Sequence, residues 1–168
     1  MELVSRILDG SIPYSLRGGA LGRLFPGRVS QDEKMKRLEE VPLLEGCSQR
    51  QLRSVARIAE VIEVPAGTVL ARAGQSGDQF FLILDGSARV DVSPRKRAKL
   101  KPGDYFGEMS LLDGGPRSAT VTADTPLRLL VIQRRDFATL LREAPDLTQS
   151  LLATLSRRVR QAEQVVSG

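Results

Sequence analysis

The spacing of apolar side chains divides the sequence into stretches of different period. From Ser48, the residues Leu52, Val55, Ala56 and Ile58 or Ala59 recur on one face at helical spacing. That segment opens S-x-x-Q, Ser48 with Gln51, and an S-x-x-E pattern, Ser30 with Glu33, precedes it. Both are capping-box patterns and predict helices, the first running from Ser30 to about Glu40. From Val61 onward the period shortens. Val61–Val64, Thr68–Ala71, Gln79–Leu84, Ser87–Val92, Ala98–Lys101, Ala119–Ala123 and Leu127–Ile132 are short strand-like runs. Turn-forming stretches separate them: Pro65-Ala66-Gly67, Gly74–Asp78, Asp85-Gly86, Pro102-Gly103-Asp104, Gly114-Gly115-Pro116 and Asp124–Pro126. Strands this short and this evenly punctuated predict a sandwich or jelly roll. Asp85-Gly86 between apolar runs predicts a hairpin with a type I′ turn, which needs positive φ at both central residues.

From Arg134 the pattern is helical again. Phe137, Leu140 and Leu141 form the inward face of a helix over Arg134–Glu143. Pro145 suits the first turn of another helix. In it Leu147, Leu151, Leu155, Val159, Ala162 and Val166 recur at steps of three or four. The first half of this stripe is expected to pack on the roll; the second is a candidate seam for a parallel dimer. Residues 1–29 are broken by Gly10, Pro13, Gly18, Gly19, Gly22, Pro26 and Gly27 and read as an arm with one or two short helices, with Leu3, Val4, Ile7 and Leu8 as its apolar part. The plan is helices, then a β-roll, then two helices.

Composition narrows the chemistry. The 168 residues include no histidine and a single cysteine, Cys47. Ser-His-Asp and Cys-His triads are excluded, as are nearly all zinc sites. An intrachain disulfide is excluded too, and a reducing cytoplasm is the expected compartment. No apolar run reaches the length of a membrane span, and the N-terminal residues lack the pattern of a secretory signal. The net charge of +5 suits an anionic partner without amounting to a nucleic-acid field. The densest basic run, Arg95, Lys96, Arg97, Lys99 and Lys101, reads as a solvated hairpin tip.

The informative segment is Phe106-Gly107-Glu108-Met109-Ser110-Leu111-Leu112-Asp113-Gly114-Gly115-Pro116-Arg117-Ser118-Ala119-Thr120-Val121. It lies between strands but is too long for a hairpin turn. Glu108–Leu112 is expected to form one helical turn with unpartnered N–H groups, which attract an anion. Gly107 allows close backbone approach. Gly114-Gly115-Pro116 returns the chain to the next strand, where the planar fork of Arg117 is placed to take two phosphate oxygens. A carboxylate and a guanidinium at opposite ends of such a cradle suit a small anion carrying hydroxyls.

This segment closely resembles the phosphate-binding cassette of cyclic-nucleotide-binding domains, as in catabolite activators, regulatory subunits of cAMP-dependent kinase and cyclic-nucleotide-regulated channels. Their motif reads roughly F-G-E-x-x-L-(x)-x-x-x-x-R-[ST/A]-A-[T/S]-V, which Phe106–Val121 follows throughout. The resemblance covers roughly residues 42–166, including Pro42-Leu43-Leu44, Gly67, Gly74, Phe80-Phe81-Leu82-Ile83, Gly86 and Gly103-Asp104. It implies an α+β domain, residues 42–168, with an antiparallel β-roll (jelly roll) of about eight strands flanked by N-terminal helices and two C-terminal lid helices. Residues 1–41 are then an N-terminal arm. It further implies that Glu108 accepts a hydrogen bond from the ribose 2′-OH and that Arg117 pairs with the cyclic phosphate. Backbone amides near Gly107, Met109 and Ala119 complete the cradle, and Ser118 adds a hydroxyl near phosphate and base. Phe106 and Ser110 belong to the same candidate ligand-binding set, and Val92, Leu100 and Val121 are candidates for the base slot. Arg158 on the last helix is the candidate to lie over the purine.

The expected function is a stand-alone cyclic-nucleotide sensor, not an enzyme, that binds cAMP and signals by movement of its C-terminal helices. Its output would pass to an unidentified effector protein through the arm or the last helix, with a homodimer as a further expectation. No DNA-binding domain, membrane span, metal or cofactor is expected. The alternative is the same fold acting as an interaction protein with a changed ligand, cGMP or cyclic di-GMP, or none.

Overall fold

The computed structural model describes residues 25–93 and 96–167. The one or two short helices expected within residues 1–29 have their apolar part, Leu3, Val4, Ile7 and Leu8, outside the described residues. The chain divides into two compact units.

The first unit, residues 1–28 and 60–134, holds the β-roll. Eight strands occur among its described residues: β1 (Glu60–Val64), β2 (Val69–Ala71), β3 (Gln79–Asp85), β4 (Ala88–Ser93), β5 (Lys96–Leu100), β6 (Tyr105–Phe106), β7 (Thr120–Ala123) and β8 (Leu127–Gln133). They form two four-stranded sheets, ordered β1-β8-β3-β6 and β2-β7-β4-β5, and every pairing is antiparallel. Seven of the eight coincide, within a residue or two, with an apolar run in the sequence. The eighth, β6, has two residues, too few to show a period.

The core follows from alternation. Ile62, Val64, Leu70, Phe81, Ile83, Val121, Leu127, Leu129 and Val131 point into one buried cluster, with Val90, Leu100 and Phe106 packed against it. In β3 and β8 the intervening residues Phe80, Leu82, Leu84, Leu130 and Ile132 are buried as well. Both strands are therefore covered on two faces, and their sequences read as continuous apolar runs rather than alternating ones. A fully buried side chain of this size contributes about 1.5–3 kcal/mol. At the back of the first sheet Arg128 pairs with Asp85 at 2.6 Å and lies over the Phe25 ring at 5.6 Å.

The Asp85-Gly86 hairpin does not form. β3 and β4 belong to different sheets, so the turn carries the chain from one sheet to the other. Only Gly86 has positive φ, at 94°, whereas a type I′ turn needs two such residues. The glycine is required here because an added Cβ would collide with the Pro126 carbonyl and crowd Leu127 Cδ2 and Thr125 Oγ1 at 2.9 Å.

The second unit, residues 29–59 and 135–168, is helical. It comprises α1 (Gln31–Leu38), a 3-10 turn (Pro42–Leu44), α2 (Gln49–Ile58) and most of two later helices. Helix α1 ends two residues short of Glu40, and Ser30 Oγ accepts from Glu33 N. In α2 the full capping box is present: Gln51 N donates to Ser48 Oγ and Ser48 N donates to Gln51 Oε1. Leu52, Val55 and Ala56 are buried, as their spacing requires. The last helix, Pro145–Ser167, packs on the 3-10 turn, and Gly46 brings the backbone close to it, since a Cβ there would meet Thr154 Oγ1 at 2.9 Å. Its stripe changes character along its length: Leu147 and Leu151 are buried, while Val159 is more than half exposed, as is Leu152 beside the stripe.

Candidate functional site

The cassette leaves the roll at β6. Phe106 anchors the segment, stacking on Phe81 with ring centroids 4.8 Å apart. The chain then turns at Gly107, whose φ of 79° favours glycine. A single turn of helix follows, α3 (Ser110–Asp113), two residues later than expected. The N–H groups of Ser110, Leu111 and Leu112 bond the carbonyls of Gly107, Glu108 and Met109, and the N–H groups ahead of them lie outside the intrahelical ladder, as at any helix start. Gly114 closes the turn in the left-handed region, at φ 61°.

The return limb is fixed by a loop distant in sequence. Gly74 N donates to Arg117 O, Arg117 N to Gln75 O, and Gly77 N to Gly115 O, at 2.8, 2.8 and 3.2 Å. Ser76 and Pro116 form an isolated bridge between the same segments. The loop between β2 and β3 thus holds the main chain of Arg117 from both sides.

The Arg117 side chain is held as well. It donates through Nη2 to the Gln79 carbonyl at 2.5 Å and through Nη1 to Ser110 Oγ at 3.0 Å. Its Cζ lies 6.0 Å from the Phe81 ring centroid. Burial lowers the pKa of the guanidinium, and the nearby Asp78 carboxylate opposes that shift; the group remains a cation at any physiological pH. Both hydrogen bonds go to neutral acceptors, so a half-buried positive charge keeps donors available for an anion. Ser110, buried at 7%, therefore stands behind Arg117, as a support for its fork.

Glu108 is buried to the same degree, and its Oε2 atom accepts no hydrogen bond among the described residues, although the carboxylate has other interactions. Met109 is 47% exposed on the outer side of the turn. Ser118 is exposed and Ala119 half-exposed, and both lead into β7. Val121 and Leu100 face the interior of the roll; the Val92 side chain lies outside the described residues. Arg158 lies on α5 (Pro145–Ser167), half-buried in the helical unit. The structure thus brings Phe106, Gly107, Glu108, Met109, Ser110, Arg117, Ser118 and Ala119 into one cassette.

Three further residues at the site carry no pattern that marks them in the sequence. Gln79 acts through its backbone carbonyl, and the side chain tells nothing of that. Asp78 reads as a turn residue. Its carbonyl accepts from Arg134 N at 2.8 Å and its carboxylate lies 3.6 Å from Arg134 Nε. Arg134 in turn lies over Gly114, where a Cβ would meet Cζ at 2.7 Å, and opens α4 (Arg134–Glu143). Gly77 also reads as a turn residue, yet it borders the Arg117 side chain.

Fold and site together define the class, a regulatory β-roll domain with a glycine-rich cassette between β6 and β7. The family model of the cyclic nucleotide-binding domain matches residues 61–144. The chain belongs to that family. Over 166 residues it is 37% identical to a cyclic nucleotide-gated potassium channel of Mesorhizobium japonicum, covering 94% of this chain and 46% of the channel. The chain therefore spans less than half the length of that relative. Among solved structures, the N-terminal domain of a transcriptional regulator from Streptomyces coelicolor A3(2) superposes with a TM-score of 0.70 at 27% identity, covering 77% of this chain and 94% of that domain. The regulatory domain of Toxoplasma gondii PKA, crystallised with cAMP, superposes with a TM-score of 0.59 at 26% identity, covering 78% of this chain and 50% of that one. Among the described residues no helix is long and apolar enough to cross a membrane.

Proposed function

We propose that this chain is a cyclic-nucleotide sensor that binds cAMP in the cassette and signals through its C-terminal helices. The observation that carries the reading is the guanidinium of Arg117. It is half-buried, held by the neutral Gln79 carbonyl and Ser110 hydroxyl, and adjacent to glycine backbone. A charge withdrawn from water in this way is stabilised by a partner anion, and a fork with donors to spare matches the exocyclic oxygens of a cyclic phosphate. Glu108, an acceptor-only group when ionised, takes the ribose 2′-OH. The N–H groups of the Gly107–Met109 turn and of Ala119 complete the cradle, and Ser118 lies beside phosphate and base. The helical unit supplies the response: the nucleotide biases it by its differential affinity for two positions of those helices, with Arg158 of α5 over the purine face. The signal passes to an effector protein through the N-terminal arm or α5.

The test is calorimetric titration of the protein with cAMP, cGMP and cyclic di-GMP. The reading requires saturable 1:1 binding of cAMP, tighter than that of cGMP, and weak or no binding of cyclic di-GMP. Tightest binding of cyclic di-GMP, or no binding of any of the three, refutes it.

A second copy of the chain is a further partner. Leu152 and Val159, both exposed, stand seven residues apart, with Leu155 and Ala162 at the intermediate positions of a heptad. Val159→Glu is expected to convert a dimer to a monomer in sedimentation velocity; a wild type that is monomeric at high micromolar concentration removes this partner.

A further inference from the structure

Gly77 has no conformational reason to be glycine. Seven described glycines have positive φ: Gly27, Gly67, Gly74, Gly86, Gly103, Gly107 and Gly114. Gly77 is not among them, so its backbone suits any L-residue. Its amide bond to the Gly115 carbonyl is equally available to alanine. What excludes a side chain is Arg117: a Cβ at position 77 would lie 2.7 Å from Arg117 Cδ and nearer still to Nε and Cζ. The three nearest obstructing atoms thus belong to one flexible side chain, and that side chain carries the charge assigned to anion binding. On the opposite side Gly107 also borders the guanidinium, but it is required twice over, by its φ of 79° and by the Gln79 carbonyl, which a Cβ would approach to 2.5 Å.

We infer that Gly77 is a positioning residue for Arg117: its missing side chain is the lane in which the arginine lies, and it keeps Nη2 on the Gln79 carbonyl and Nη1 on Ser110 Oγ. An alanine at 77 leaves the loop intact and pushes the arginine, the flexible partner, out of that lane. Both hydrogen bonds are lost and the fork leaves its prearranged position, so ordering it again falls on the binding step. The role in binding rests on the reading of Arg117 as the phosphate ligand; the coupling between positions 77 and 117 does not.

The experiment is a double-mutant cycle on Gly77→Ala and Arg117→Ala in the full chain, read by thermal denaturation and by calorimetry with cAMP. Gly77→Ala is expected to lower Tm by about 2–5 °C through the two lost bonds. In the Arg117→Ala background the same change is expected to leave Tm unchanged or raise it, because glycine-to-alanine at a compatible φ reduces the freedom of the unfolded chain. Gly77→Ala is also expected to weaken cAMP binding at least tenfold. An equal fall in Tm in both backgrounds overturns the inference, as does binding by Gly77→Ala within threefold of wild type. If Gly77→Ala does not fold, folding of the double variant supports the coupling, whereas an unfolded double variant beside a folded Arg117→Ala overturns it. A wild type that binds no cAMP sinks the proposed function and leaves the Tm cycle as the test of Gly77.

Discussion

Replacing Arg117 with leucine separates binding from folding. In the bound state the arginine would be one half of a desolvated, hydrogen-bonded charge pair. Truncating one partner of such a pair costs about 2–5 kcal/mol, or roughly 30- to 5,000-fold in Kd. The cost to folding is much smaller. The variant loses the bonds to Gln79 O and Ser110 Oγ, but both acceptors border a half-exposed side chain and become accessible to water, and the variant no longer withdraws a charge from solvent. The apo protein is therefore expected to unfold within about 5 °C of wild type, with an unchanged far-ultraviolet circular dichroism spectrum. Calorimetry with cAMP, run beside that melting curve, is the assay. Binding by Arg117→Leu within threefold of wild type would show that the guanidinium does not hold the phosphate. Loss of binding together with collapse of the fold would show that the arginine is a structural post instead.

Glu108→Ala is expected to weaken cAMP by about 1.5–3 kcal/mol, the range for a hydrogen bond to a charged group, and to narrow the gap between cAMP and its 2′-deoxy analogue; an unchanged gap means that Glu108 does not read the ribose. The wild type is expected to prefer cAMP over cGMP by about three- to tenfold, and Ser118→Thr to narrow that ratio, chiefly by improving cGMP, since a β-branched hydroxyl is held more firmly against a guanine amino group; competition binding with both nucleotides decides it, and an unchanged ratio means that Ser118 does not read the base. Burial pushes the Cys47 thiol up to about 11. A raised pKa leaves it protonated at neutral pH, so alkylation by iodoacetamide is expected to stay slow to pH 9 and to accelerate only as pH approaches that value. A rate that levels off near pH 8.5 refutes this.

The readable part of the fold was the part written in side-chain period and local capping. Ser48 with Gln51 marked the start of α2 because a capping box is a contact between residues three apart. The apolar runs of β3 and β8 marked strands because each is buried over its whole length. What escaped depends on closure between distant segments. Asp85-Gly86 satisfies a hairpin rule locally, yet β3 pairs with β8 and β6, and β4 with β7 and β5; the partners of a strand are chosen by the roll and not by its neighbour in sequence. The two-residue β6 exists only because Phe81 and Leu82 offer it an edge. At the site, Glu108 and Arg117 stood out as charges in a glycine-rich loop. Gln79 contributes a carbonyl that every residue possesses, and Gly77 contributes empty space.

The bonds that join Gly74, Gln75 and Gly77 to Gly115 and Arg117 span some forty residues of chain. The local bonds of the two segments, Gln75 N to Arg72 O and Gly115 N to Asp113 Oδ1, do not join one segment to the other, so the cradle comes into being only when the loop of chain between them has closed, a late and entropically costly event in folding. The unfolded chain therefore offers the nucleotide nothing to grip, and occupancy adds stability by mass action. At a ligand concentration one hundred times Kd the gain is about 2.7 kcal/mol. In a cell, the lifetime of this protein against proteolysis would then rise and fall with the supply of its ligand.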